Sequence, residues 1–196
     1  MGTPQVLTIN LRLLMKSFLG LFFCLFLFGC SIISTEPYKK VYYFDIGSPS
    51  EKYEIKTNHV GAVSIHAAAP YYEKMVFRFS ANRVEFDEYN RWNAMPANIL
   101  QRYIVMACMR DCNNDDAIRI LKVEIFRFEL DMQKKSAVCD LAFSIEKVDD
   151  SAVIWQNAYH QEIPVKDLTA EVFASSMQSA IDNILKQLVT DIQSIK

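Results

Sequence analysis

Glycine is scarce in this chain, with five among 196 residues, and three of the five fall in residues 1–29. A loop that cradles phosphate needs several glycines at fixed spacing, so Gly47 and Gly61 alone argue against nucleotide binding by the rest of the chain. Basic residues are not in excess either. The 21 Lys and Arg stand against 23 Asp and Glu for a formal charge of −2, with no basic tail or stripe, which argues against a nucleic-acid partner. The three histidines, His59, His66 and His160, are scattered rather than spaced as metal ligands, and no metal or other cofactor is expected. No Gly-x-Ser-x-Gly elbow and no His-Glu-x-x-His pair is present, so neither hydrolase nor metalloprotease chemistry has its usual carrier. Internal repeats and low-complexity tracts are missing as well.

One long apolar run is present, and it lies near the start. Met15–Cys30 reads MKSFLGLFFCLFLFGC: a basic residue at Lys16, an apolar stretch from Phe18 to Phe28, then Gly29 and Cys30. A charged start, an apolar centre and a small residue before the cleavage point make a secretory signal. With cysteine next, Leu27-Phe28-Gly29-Cys30 resembles the lipobox of bacterial lipoprotein precursors. From Phe18 to Ile33 the run is 16 residues, short of the roughly 20 that a spanning helix needs. An uncleaved anchor is the alternative. Met1–Leu14 adds nothing to a signal, so Met15 is the expected true start. The expected organisation is a signal peptide at 1–29, a lipidated N-terminus and tether at 30–40, and one domain at 41–196. Arg12 and Lys16 are the only charged residues before Cys30, so processing takes the formal charge from −2 to −4 and leaves 167 residues, enough for one substantial core. Ser31 follows the cysteine where an Asp would mark inner-membrane retention. The expected location is therefore the periplasmic face of the outer membrane, with the inner membrane as the alternative.

Val41–Ile46 is rich in strand formers and ends at the turn signal Gly47-Ser48-Pro49. Val60–Ala67 alternates as a second strand. Lys74–Ser80 and Arg83–Phe86 flank Ala81-Asn82 and predict a hairpin. Pro96 opens a helix, where its missing N–H costs nothing, and Ile99, Leu100, Tyr103, Ile104 and Ala107 give that helix one apolar face as far as about Arg110. Three strands follow. In Leu121–Met132 the apolar residues change phase near Phe126, which predicts a β-bulge or a strand covered on both faces. Glu124, Glu129 and Asp131 read as a wet sheet face. Ala137–Ile145 alternates with Cys139, Leu141, Phe143 and Ile145 inward. After a turn at 148–151, Val153–Ile163 returns with Trp155 and Tyr159 on one side and His160 on the other, exposed. Asp167 or Thr169 caps the last helix, whose stripe runs through Phe173, Met177, Ala180, Ile181, Ile184, Leu185, Leu188, Ile192 and Ile195. The expected fold is α+β: a largely antiparallel sheet packed with two main helices, the second long, amphipathic and C-terminal.

The remaining cysteines, Cys108, Cys112 and Cys139, permit at most one intramolecular disulfide. They read as buried thiols, with a disulfide as the alternative. Asp149 and Asp150 fall in a turn, where acidic residues serve local hydrogen bonds. Exposed Trp, Tyr and Arg are the types that dominate binding hot spots. Tyr71, Arg78, Arg91 and Trp92, which bracket the hairpin and lead into the Pro96 helix, are accordingly the candidate partner-binding residues. A buried plug between helix and sheet is the competing reading for Trp92.

The lipobox, Tyr42-Tyr43-Phe44, Pro70-Tyr71 before Met75-Val76-Phe77-Arg78, and Tyr89-x-Arg91-Trp92 before a Pro-initiated helix together resemble the ABC-type transport auxiliary lipoprotein component family. Asn93-Ala94 follow Trp92 where that family often has Ala-Glu. The resemblance implies a non-catalytic, periplasm-facing lipoprotein held to a membrane through acylated Cys30. Its implied partners are a periplasmic protein of the mammalian-cell-entry (MCE) type and an ABC permease and ATPase, in a system that moves lipids or other apolar molecules between membranes. Self-association is a further expectation. The alternatives are a lipoprotein holding lipid in its own cavity and an assembly factor for an outer-membrane complex.

Overall fold

The computed structural model describes residues 39–53, 60–67, 71–108 and 119–193. Its elements in chain order are β1 (Tyr42–Phe44), β2 (Val60–Ala67), β3 (Lys74–Ser80), β4 (Arg83–Trp92), α1 (Pro96–Cys108), β5 (Arg119–Asp131), β6 (Ser136–Lys147), β7 (Val153–Pro164) and α2 (Ala170–Gln193). The signal region with Cys30, together with His59, Pro70, Arg110, Cys112 and Ile195, lies outside the described residues.

The seven strands form one sheet in the order β1-β4-β3-β5-β6-β7, with β2 also paired to β5. The hairpins β3–β4, β5–β6 and β6–β7 are antiparallel. The longest ladders are thus antiparallel, as expected, while β1–β4, β2–β5 and β3–β5 run parallel, so the sheet is mixed. The reason is connectivity: β5 returns from α1 to lie along the earlier β2 and β3 on one edge, with the later β6 on its other, whereas local alternation reports only hairpin neighbours.

β2 and β3 share one edge of β5. β2 covers its first half, from Val60 opposite Arg119 to Ala67 opposite Ile125, and β3 resumes with Phe77 opposite Leu130. On the other edge, the register with β6 slips between Ile125 and Arg127. This is the bulge that the phase change predicts, and it leaves Phe126 largely exposed. Inward residues are therefore Leu121, Val123 and Ile125 before the bulge and Phe128 and Leu130 after it, all buried.

Both helices cover this inward face. Pro96 begins α1, and the Met95 carbonyl accepts from Asn98 and Ile99 N–H at 2.9 and 3.1 Å. The buried stripe is the predicted one, Ile99, Leu100, Tyr103, Ile104 and Ala107. α2 starts where the Thr169 hydroxyl accepts the Val172 N–H at 3.3 Å, with Glu171 complementing the helix dipole. Tyr103 donates to Asp182 at 2.7 Å and ties the helices together, and Tyr159 on β7 donates to Asp191 at 2.6 Å. Burial followed by the hydrogen bond to Asp182 pushes the Tyr103 pKa upward.

Trp92 sits at the centre of the core. Its ring is 5.3 Å from both Phe128 and Phe173 in edge-on contacts. β1 is fastened by Asp45, whose carboxylate accepts from Arg102 at 2.6 Å, from Asn93 at 2.6 Å and from the Gly47 N–H at 3.2 Å. Burial alone would raise the Asp45 pKa; those hydrogen bonds outweigh it and hold the carboxyl below its usual value. Gly47 turns the chain at φ 77°, a conformation that side chains resist.

Candidate docking face

No described element covers the second face of the sheet. Alternation puts Lys122, Glu124, Arg127 and Glu129 of β5 on it, with Asp140, Ala142, Ser144 and Glu146 of β6 and Gln156, Ala158, His160 and Glu162 of β7. These residues form two zones, a groove and a charged ladder.

The groove lies over the first half of β5. It holds about 600 Å3, is open to solvent, and is floored by the short side chains of Ser64, Ala142, Ser144 and Ala158. Lys122 and Glu146 pair at its wall at 2.5 Å, and His66, Glu124 and Gln156 complete a polar lining. Such a trough can seat a polar segment of a partner. It is not the enclosed apolar cavity that holding lipid requires.

The ladder crosses the other half. Arg78 on β3 grips Glu129 with two parallel bonds, Nε to Oε1 at 2.6 Å and Nη2 to Oε2 at 2.9 Å. Arg127 donates to the same Oε1 at 2.7 Å and lies 3.8 Å from Asp140. Asp140 meets His160 Nδ1 at 2.5 Å, and Glu162 beyond accepts from Lys134 at 2.9 Å and Ser136 at 2.8 Å. Those two bonds lower the Glu162 pKa. Arg78, Glu129, Arg127 and Asp140 thus alternate in charge across β3, β5 and β6, and His160 and Glu162 carry the row on to β7.

Glu129 is 0% exposed although no described element covers its face, so the wet-face reading of Glu129 and Asp131 is corrected. Two guanidinium groups lie on Glu129. The Asp131 carboxylate accepts the Gln133 and Lys134 N–H groups at 3.0 and 2.9 Å and so shapes the β5–β6 turn. Glu124 and the exposed His160 stand as expected.

Of the four candidate partner-binding residues, Arg78 alone reaches this face with its charge. Its Nη1 also donates to the Ala81 carbonyl at 3.0 Å, so it braces the β3–β4 turn as well as the ladder. The hydrogen bonds it donates to Glu129 hold its pKa above the ordinary arginine value. Tyr71 is buried. It donates to the Phe126 carbonyl at 3.0 Å, filling the interruption between β2 and β3 and satisfying the bulge. Burial, with the charge of Glu129 next, pushes its pKa up to about 12. Trp92 is core, and of its two readings the structure takes the buried plug. Arg91 is half-buried on β4 opposite Tyr43 and Lys74, away from the ladder.

Sequence reasoning missed Arg127, Asp140 and Glu129 as members of one network. Their partners are far apart along the chain, and the only local trace was the alternation of charge in 127, 129 and 131. It also missed Val84, Phe86 and Phe126 as large apolar residues left exposed, the first two on β4 opposite Arg78 and Val76 and the third beside Arg127 on β5. Cys108 and Cys139 are buried free thiols. No helix among the described residues is long and apolar enough to cross a membrane.

A two-layer α+β domain with one covered and one open sheet face is the class these features define. No family model matches the chain, and no curated protein matches it. Solved structures do. A Xanthomonas campestris protein of the family described as DUF330 is similar over 76% of this chain and 92% of its own, with TM-score 0.60 and 13% identity. A second, described as an uncharacterized protein, is similar over 78% of this chain and 99% of its own, with TM-score 0.64 and 10% identity. At such identity the likeness is one of fold. Three more align with TM-scores of 0.31, 0.39 and 0.33 and carry no argument.

Proposed function

We propose that this chain is a periplasm-facing lipoprotein, anchored through Cys30, that serves as a non-catalytic auxiliary component of an MCE-type ABC transport system. The observation that carries the docking role is the division of the sheet. One face is sealed by two helices. The other presents a fixed alternating ladder, from Arg78 to Glu162, beside exposed Val84, Phe86 and Phe126. Apolar groups around braced charges are what a partner surface needs: the first supply affinity, the second orientation. The polar open groove favours docking over a lipid-holding role for this chain. The membrane attachment rests on the lipobox, and the identity of the partner on the family resemblance.

The test is photo-crosslinking in cells, with the crosslinker at Phe86 or Phe126 of the full chain. Capture of the MCE-type protein from both positions, reduced by the charge reversal Arg127→Glu, is expected. Absence of that protein from the crosslinks at both positions, with the chain folded and lipidated, would overturn the docking role. Anchoring is tested separately: Cys30→Ser should abolish palmitate incorporation.

A further inference from the structure

Away from the bare face, exposed aromatic residues gather at one corner of the sheet. Tyr42 and Tyr43 make up most of β1 and are 51% and 60% exposed; Tyr72, just before β3, is 65% exposed. Tyr89 near the end of β4 and Met95 ahead of α1 are also exposed. The register brings them together. Tyr42 lies opposite Asn90, next to Tyr89, and Tyr43 lies opposite Arg91, which in turn faces Lys74. The Trp92 N–H donates to the Glu73 carbonyl at 2.6 Å and the Asn93 N–H to the Phe44 carbonyl at 2.8 Å, which sets Tyr72 and the start of α1 beside the same strand ends. From β1 to β3 is two strand spacings, roughly 10 Å.

We infer that this corner, centred on Tyr42, Tyr43, Tyr72 and Tyr89, rests on the headgroup layer of the membrane that holds the anchor. The inference depends on the lipid anchor at Cys30 proposed above. Two observations select a membrane as the occupant. The first is position along the chain. β1 is the first described strand, and Lys40 lies ten positions after Cys30, a reach of at most roughly 35 Å. An anchored domain therefore keeps this corner nearest the bilayer, where tethering makes weak contacts sufficient. The second is chemistry. Four of the five exposed residues are tyrosines, whose apolar ring and polar hydroxyl suit the boundary between acyl chains and headgroups. Lys39 and Lys40 flank them, exposed, with the Lys40 ammonium 5.3 Å from the centre of the Tyr42 ring. Lysines at that level attract anionic lipid phosphate.

The geometry also gives the domain a direction. Arg91 faces Lys74 at the start of β3, and the β3–β4 turn at Ala81-Asn82 lies seven to eight residues further along, roughly 24–27 Å away. With the tyrosine corner on the bilayer, the hairpin end points away from it.

The experiment uses the full lipidated chain in vesicles of phosphatidylethanolamine and phosphatidylglycerol, in a Cys112→Ser background. A fluorophore is placed at Tyr43→Cys, at Tyr72→Cys or, for comparison, at Asn82→Cys in the exposed β3–β4 turn, and circular dichroism confirms each fold. Labels at 43 and 72 should be quenched several-fold more by bromine-labelled lipid than the label at 82, and the label at 82 more by aqueous iodide. Equal, aqueous behaviour at all three positions in a chain shown to carry palmitate would overturn the inference and leave the anchor standing. Loss of palmitate labelling would overturn the anchor and this inference with it. Protection of 43 and 72 only after the MCE-type protein is added would reassign the corner to a protein partner.

Discussion

The two faces of the sheet are built from the same strands and differ in almost everything else. Inward residues of β5 and β6 are Leu121, Val123, Ile125, Phe128, Leu141, Phe143 and Ile145, each at most 2% exposed. Their immediate neighbours in sequence are Lys122, Glu124, Arg127, Asp140, Ser144 and Glu146. Burial on the first face is removal of apolar area from water, at roughly 25 cal/mol per Å2. On the second face the one fully buried charge, Glu129, is tolerated because two guanidinium groups replace its water. The covered face holds the fold together. The bare face is held in shape at little net gain, since ion pairs of this kind roughly break even against their desolvation. A surface kept ordered for so small a return fits one that meets something else.

Leu185→Asp should do the most damage. Leu185 is 0% exposed in the stripe of α2, and a carboxylate there has no partner, so several kcal/mol should be lost, much of a typical domain's ~5–15 kcal/mol. A wild-type melting curve would show that α2 does not seal the core. Arg78→Ala comes next. Glu129 would keep Arg127 and the β3–β4 turn would lose its brace, for a cost of about 1–3 kcal/mol by urea unfolding. A loss as large as that of Leu185→Asp would mean that the bare face carries the fold after all.

Alkaline pH acts on the covered side. Burial pushes the Cys108 thiol, ordinarily near 9.0, up to about 12, and the Tyr71 hydroxyl from 10.0 to about 12. The unfolded chain then ionises first, so this stabilisation is complete below pH 9 and is lost as pH rises toward about 12. Denaturation midpoints should fall across that window, and native Cys108 and Cys139 should resist thiol reagents until the chain unfolds. The smallest effect is expected for His160→Ala. The ring is exposed beside Asp140, and such surface changes stay within about 0.5 kcal/mol. Equal loss from His160→Ala and Arg78→Ala would show that the exposed His160–Asp140 end of the ladder carries as much as the buried Arg78–Glu129 end.

Much of the covered face was legible in advance, for a physical reason. Alternation in Ala137–Ile145, the 3.6-residue stripe of α2, Pro96 at a helix start and the phase change at Phe126 are each recorded within a few neighbouring residues. The bare face and the strand order are not local. Glu129 meets Arg78 across 51 positions, and only that pairing turns a residue that reads as solvent-exposed into a buried one. The parallel placement of β5 beside β2 and β3 likewise leaves no periodic trace in any single strand. Trp92 was ambiguous because its neighbours Tyr89 and Arg91 are only partly buried, while its own packing comes from Phe128 and Phe173 far along the chain.

The lateness of α2 has a consequence for how the molecule is made. Seven strands and α1 are synthesised before it, yet Phe173, Met177, Ile181, Ile184, Leu185 and Leu188 supply one wall of the core. Until they emerge, only α1 can cover the inward face, and long-range β pairing is slow in any case. The unfinished chain therefore leaves apolar strand residues uncovered for longer than a chain whose core closes early. For the anchored lipoprotein proposed above, which would cross a membrane unfolded, that delay would be an advantage: a sheet still waiting for α2 offers little folded structure to block the passage.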